Sequence, residues 1–394
     1  MLSFSRYRAV LQRSEIRGAI ASSILGRLPI GMAGLALMLA AQASTGSFAS
    51  AGLLTGAYVA GLAILAPWIG RYIDRRGPRG ALIVCALAYP AMLAALVASM
   101  RFGIPASISA LASLVAGAAF PPITVCMRAF LKQRLGTNDA ELSAAYSLES
   151  LLIESIFIVG PAAVALFVAF GSPEAAVLFA AACAFAGTLL FLGSPALRHW
   201  KIEPRETSSI LGPLAEPGFT ALLATIALYA SAFGMVEMGV TGYATEWRNP
   251  ALAGVLLALM SIGSAAGAIG YGGRVWRAPL QRQFPAMLFL MGGGIATLGT
   301  ISDPWIFAPL SAFAGIVMAP ALIIQSMLVA KIARPIHSTE AFTWSSTALL
   351  AGVSGGIALA GSILDQAPAS NVFVAAGVAA MLAAALAITL LRTR

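Results

Sequence analysis

Charge is scarce in this sequence. Only 10% of the 394 residues are Asp, Glu, Lys or Arg, whereas 59% are hydrophobic. A soluble chain carries roughly a quarter charged residues, so a soluble fold of this length has too few charges to cover so much apolar side chain. Lipid must be the solvent for most of this surface. Histidine is scarcer still. His199 and His337 both fall in expected loops, which excludes a His-rich metal site of an intramembrane enzyme. The three cysteines, Cys85, Cys126 and Cys183, sit inside apolar runs without metal-ligand spacing and read as buried packing residues. The sequence has no G-x-x-x-x-G-K-[ST] phosphate loop to bind ATP. It shows no clustered nucleophile and base, and no repeated pore element or ring of charges. No enzyme, cofactor or metal site is therefore expected.

What is there is a series of long apolar runs. A helix needs about 20 mostly apolar residues to cross a hydrocarbon core of ~30 Å. Such runs fall at 17–43, 49–71, 79–100, 104–131, 141–170 and 173–193, then at 216–245, 250–273, 283–300, 304–331, 339–363 and 369–391. All twelve should be helices, because lipid offers backbone groups no outside partner. A membrane barrel would alternate polar and apolar residues in short strands, and these runs do not. The first run resembles a signal peptide, but Arg27 and Pro29 interrupt it and it is longer than a signal core of ~7–15 residues. It is read as an uncleaved span.

The net charge is +9, and its placement is one-sided. Twenty of the 24 Lys and Arg residues fall in the N-terminal tail, the even-to-odd loops, the central segment and the C-terminal tail. Only Arg101 and Arg248 lie on the other side, and Arg27 and Arg128 lie within spans. This distribution implies cytoplasmic N- and C-termini. It also argues against nucleic-acid binding, since no basic face carries interleaved aromatics.

The longest polar stretch, 194–215, contains Pro195, Pro204 and Pro213. It divides the chain into a six-span bundle at 1–193, a cytoplasmic linker and a six-span bundle at 216–394. Weak repetition agrees with this division: aligning Pro122 with Pro320 brings Lys132 within one position of Lys331, and aligning Glu141 with Glu340 matches two helix starts.

The loop between spans two and three reads Gly70-Arg71-Tyr72-Ile73-Asp74-Arg75-Arg76-Gly77-Pro78-Arg79. It resembles the signature loop of the major facilitator superfamily, roughly G-x-x-x-D-R-x-G-R-R, at Gly70, Asp74, Arg75, Gly77 and Arg79. Pro78 departs from it. The resemblance implies an all-α membrane fold of two six-helix bundles. It also implies a conformational latch in which Asp74 packs near the cytoplasmic start of span eleven and holds the outward-facing state. Gly70 would permit close helix packing and Gly77 a sharp turn. As a topology anchor alone, the loop would need the arginines but not the Asp or the glycines. The corresponding second-half loop, Gly273 to Arg277, has no acid. Gly160-Pro161 matches the end of the G-x-x-x-G-P pattern of superfamily exporters, although Ile156 stands where its first glycine would be.

Ionisable residues inside spans cost several kcal/mol unless paired or wet, so each is a functional candidate. Arg27 either binds an anionic group of a substrate or neutralises a nearby glutamate. Arg128 is either a snorkelling interfacial residue or a span-four arginine that tunes a carboxylate's proton affinity. Against these stand Glu149, Glu154 and Glu237. Glu149 and Glu154 are separated by about 140° on one helix and so face different neighbours. If all five were ionised, one negative charge would remain unmatched, and a lone carboxylate in low dielectric takes up a proton. This motivates proton coupling, with Glu154 or Glu149 as the carrier. Tyr58, Tyr146, Tyr229, Gln325 and Trp344 join Arg27 and Glu237 as candidates for lining a substrate cavity; the aromatics have packing or interface anchoring as the alternative.

The expectation is a monomeric secondary transporter in a bacterial inner membrane that exports a small organic or amphipathic solute in exchange for protons. The alternative is proton-coupled uptake of an organic anion, motivated by Arg27. A receptor or scaffold would leave the buried charges without a purpose.

Overall fold

The structure, a computed structural model, describes residues 10–135, 139–198, 200, 213–216, 218–272, 276–332 and 338–391. Among the described residues the secondary structure is helical. The first half contains α1 (Ser14–Arg27), α2 (Pro29–Thr45), α3 (Phe48–Arg76), α4 (Pro78–Arg101), α5 (Ala106–Ala118), α6 (Ile123–Leu135), α7 (Asp139–Phe170) and α8 (Pro173–Leu192). A short α9 (Pro195–Arg198) and a 3-10 turn at Pro213–Ala215 flank the central segment. The second half contains α10 (Phe219–Glu246), α11 (Ala251–Gly272), α12 (Leu280–Leu298), α13 (Pro304–Gly315), α14 (Met318–Ile332), α15 (Ser338–Leu364) and α16 (Ala369–Leu391).

Among the described residues, eleven helical segments are long and apolar enough to cross a membrane. The remaining expected span, 283–300, falls on α12, which opens on Gln281-Arg282-Gln283 and so offers a shorter apolar stretch. Large apolar side chains face outward along the helices, including Val84, Leu111, Ile269 and Phe313. That is the surface expected of a protein solvated by lipid.

Three spans are interrupted where the sequence removes backbone donors or bulk. Pro29 cannot donate to Leu25, so Leu28 N–H takes the Leu25 carbonyl at 3.3 Å and α1 gives way to α2. Pro121-Pro122 separates α5 from α6. Between α13 and α14 the chain turns after Gly315. The expected turn at Gly77 is present. Its φ is +80°, it closes α3 by donating to Ile73 O at 2.8 Å, and Pro78 opens α4.

Helices meet closely where glycine faces backbone. A Cβ on Gly187 of α8 would strike the Gly26 backbone of α1, and one on Gly160 of α7 would strike Gly31 of α2. Small residues allow this approach in lipid, where packing rather than water exclusion drives association. The two halves of the chain join along three seams: α3 with α15, α7 with α11, and α2 with α10. Named contacts on these seams are Gly52 with Ile357, Gly254 with Pro161, and Gly34 with Glu237. All three lie toward the end of the molecule that carries the α2–α3 turn. One apolar cluster runs through both halves, and a second, around Ile16, Ile73, Leu82, Phe130 and Leu197, belongs to the first half alone at the opposite end.

Candidate functional site

Among the described residues Arg27 is the largest fully buried side chain, with 1% exposure. It is the last residue of α1, between the Gly26–Gly187 crossing and the Gly31–Gly160 crossing. Glu149, Ile156 and Gly160 share one face of α7, since separations of seven and eleven residues return to nearly the same direction on a helix. The Gly31–Gly160 contact therefore presents Glu149 to Arg27. The Arg27 Nη2 to Glu149 Oε2 distance is 2.9 Å, and Glu149 is also 1% exposed. The approach is at ion-pair distance but lacks hydrogen-bond alignment, and among the described residues none of the Arg27 guanidinium nitrogens and neither Glu149 oxygen has a hydrogen-bond partner. A buried pair that is only partly satisfied is costly, which marks this as a site of electrostatic tension rather than ordinary packing.

Glu237 of α10 lies on the seam between the halves. A Cβ on Gly34 of α2 would come within 3.0 Å of its Oε1. One turn further, the single proton of Thr241 Oγ1 is shared between two acceptors, Met38 Sδ at 3.1 Å and Glu237 O at 3.0 Å. Gly34 and Met38 thus face Glu237 and Thr241, each pair four residues apart, across parallel helices. Among the described residues the Glu237 carboxylate has no ion-pair or hydrogen-bond partner.

The uncharged candidates fall into two networks. The Tyr58 and Tyr89 hydroxyls meet at 2.9 Å in the first half. In the second half, Tyr229 donates to Gln325 Oε1, and Gln325 Nε2 donates to Ser345 Oγ at 2.7 Å. Tyr58, Tyr229 and Gln325 are buried. Trp344 is half-buried against the core. Arg128 is exposed on α6. The side chains of Tyr146, Glu154 and Asp74 lie outside the described residues.

The Gly70–Arg79 loop differs from expectation in one respect. Gly70 does not permit a close helix contact here, because a Cβ added to it would meet no atom within 4 Å. The chain is gripped at the other end of α3 instead, so this end has no packed neighbour at that position. Arg75 and Arg79 are exposed.

Sequence reasoning missed Ser345, a small polar residue in an apolar run, and Asp365, which reads as an ordinary interfacial acid. It also missed that Gly34 makes room for Glu237; the only signal was a glycine in a span that already contained several.

The sequence matches the family description Major Facilitator Superfamily over residues 20–301. The chain belongs to this superfamily. A superfamily member from Sinorhizobium fredii (strain NBRC 101917 / NGR234), described as the uncharacterized MFS-type transporter y4rN, is 26% identical, with 96% of this chain and 95% of that protein covered. A solved mutant of the nucleoside transporter NupG is similar in fold at TM-score 0.77 and 14% identity, covering 95% of this chain and 99% of that one. The POT family transporter PepTSo is similar at TM-score 0.73 and 14% identity, covering 96% and 98%. The chain is therefore a membrane transporter of this superfamily with a helical transporter fold.

Proposed function

We propose that this chain is a proton-coupled secondary transporter that exports a small organic or amphipathic solute by alternating access. It works as a monomer of twelve spans in two six-helix bundles, 1–193 and 216–394, tethered through 194–215. Its termini are cytoplasmic and it resides in a bacterial inner membrane, in line with the one-sided placement of Lys and Arg. The observation that carries the coupling is the pairing pattern within the membrane. Arg27 is already matched by Glu149, whereas Glu237 faces the other half of the chain with no partner among the described residues. A carboxylate in that position takes up a proton when the surroundings are dry and releases it when a seam opens to water. Glu237 is therefore favoured as the proton carrier over Glu149, with Glu154 as the second candidate.

Uptake of an organic anion remains the competing reading, supported by the unpartnered Nε and Nη1 of Arg27. An anion at Arg27 would displace Glu149, which would then need a proton, so uptake would also be coupled. Purified protein in proteoliposomes with an imposed pH gradient, tested in both orientations, separates the two. Solutes come first from a thermal-shift screen that includes nucleosides, short peptides, organic acids and amphipathic drugs, since ligand binding stabilises the native state. Export requires accumulation when the cytoplasmic face is outward and the proton gradient opposes the solute flux; uptake requires solute and protons to move together.

A further inference from the structure

The seam between α3 and α15 ends in a set of contacts that no candidate above includes. Asp365 follows the last residue of α15, in the second half of the chain. Its Oδ2 accepts from Ser47 Oγ at 2.7 Å, and its Oδ1 accepts from the Phe48 backbone N–H at 2.6 Å. Phe48 is the first residue of α3, in the first half, and Ser47 is its N-cap. The Ser47 hydroxyl also accepts from Ser50 N–H at 3.1 Å. A carboxylate from one half thus satisfies an otherwise unpaired donor of the other half's helix, at the end where the helix dipole favours negative charge. Such charge-assisted bonds are about twice as strong as neutral ones.

The same seam continues below the cap. A Cβ on Gly361 would strike the Phe48 carbonyl, one on Gly52 would meet Ile357 O at 2.8 Å, and Ser354 Oγ donates to Gly56 O at 2.8 Å. From Ser47 to Gly56 the two helices are held at backbone distance. At the other end of α3, Gly70 faces open space. Ile73 near that end packs into the first-half cluster, so the described contacts of α3 with the second half lie at one end.

We propose that Asp365, with Ser47 and Ser354, forms a clasp that closes the α2–α3 end of the transporter and must break in every cycle. It opposes the Asp74 loop at the far end of α3. Asp365 is a positioning residue that touches no solute. The inference rests on the alternating-access reading, since a bundle that never opened at this end would need no releasable contact. A carboxylate at a helix start suits this use. When the seam parts, water takes over both of its hydrogen bonds, so the contact holds without being irreversible.

The test uses full-length protein in lipid nanodiscs, with Cys85, Cys126 and Cys183 replaced by alanine. Spin labels at Ala43→Cys and Gln366→Cys report the clasp end, and labels at Arg76→Cys and Lys331→Cys report the other end. Asp365→Ala is expected to raise the ratio of long to short distances at the clasp end about ten-fold, with a matching shortening at the other end. Asp365→Asn, which keeps an acceptor but loses the charge, is expected to fall between. Asp303→Ala is the control. Asp303 caps α13 within its own half by accepting from Trp305 N–H at 2.8 Å, so it should leave both distances unchanged. An unchanged distance ratio in Asp365→Ala overturns the clasp, as does an equal shift in Asp303→Ala. If the wild type alternates between two populations while Asp365→Ala leaves their ratio alone, the clasp fails and the transport reading survives. If the wild type holds one population in every solute and pH, the transport reading fails. Asp365→Ala must still create the second population for the clasp to stand.

Discussion

The two halves of the chain solve the same packing problem with different chemistry. In the first half, spans one and five are joined by Arg27 and Glu149, two full charges at 1% exposure. In the second half, the repeat-equivalent spans seven and eleven are joined through span ten by Tyr229, Gln325 and Ser345, which are neutral and hydrogen-bonded in series. The neutral chain runs from the Tyr229 hydroxyl through the Gln325 amide to the Ser345 hydroxyl. The charged pair has strong attraction but incomplete hydrogen bonding, and its balance changes with any proton, anion or water that reaches it. The first half therefore carries the charged contact and the second the neutral one. Glu237 belongs to the second half yet faces Gly34 of the first, so a carboxylate without a partner among the described residues lies on the seam between the halves.

The comparison breaks first at the charged pair. Glu149→Ala leaves the Arg27 guanidinium buried and uncompensated, and should cost about 3–5 kcal/mol of stability. Thermal or denaturant unfolding in detergent would read this loss. The double replacement Arg27→Met with Glu149→Leu should recover most of it, because an apolar pair of similar volume removes the desolvation penalty. A single replacement costing less than about 1 kcal/mol would show that the pair is wet and exposed, contrary to its burial.

The neutral network should respond less. Gln325→Leu strips Tyr229 and Ser345 of their partners and should cost about 1–3 kcal/mol, read in the same unfolding assay. A larger loss than that of Glu149→Ala would reverse the ranking of the two halves. Gly187→Ala should cost about 1–3 kcal/mol by overpacking the α1–α8 crossing and should also loosen the Arg27–Glu149 approach. The smallest effect belongs to Gly70→Ala, whose Cβ meets nothing. It should leave stability within about 0.5 kcal/mol, whereas a Gly70 that packs in another conformation would show its cost only in transport rate.

Much of the fold is legible in the sequence because a bilayer enforces it. Runs of apolar residues, the interruption at Pro29 and the turn at Gly77 follow from local chemistry, and the structure contains each of them. The span at 283–300 is less legible, since Gln281, Arg282 and Gln283 dilute its start. The site is legible only as a set of residue types. That Arg27, Glu149 and Glu237 are costly in lipid is a local statement. Which glutamate faces the arginine is decided by the Gly31–Gly160 contact, 129 positions apart in the chain, and no local pattern contains it. The same holds for Asp365, whose partners Ser47 and Phe48 lie more than 300 residues away. Gly70 shows the converse: its expected helix contact is missing because the halves meet at the opposite end of α3.

The central claim is that the seam carboxylate carries the coupled proton. Its direct measurement is proton flux in proteoliposomes loaded with a pH-sensitive dye, driven by a gradient of a solute that stabilises the protein. Wild type should move protons with solute. Glu237→Gln should move none while still exchanging labelled for unlabelled solute across the membrane, and Glu149→Gln should retain some coupling. Undiminished proton flux in Glu237→Gln would contradict the account.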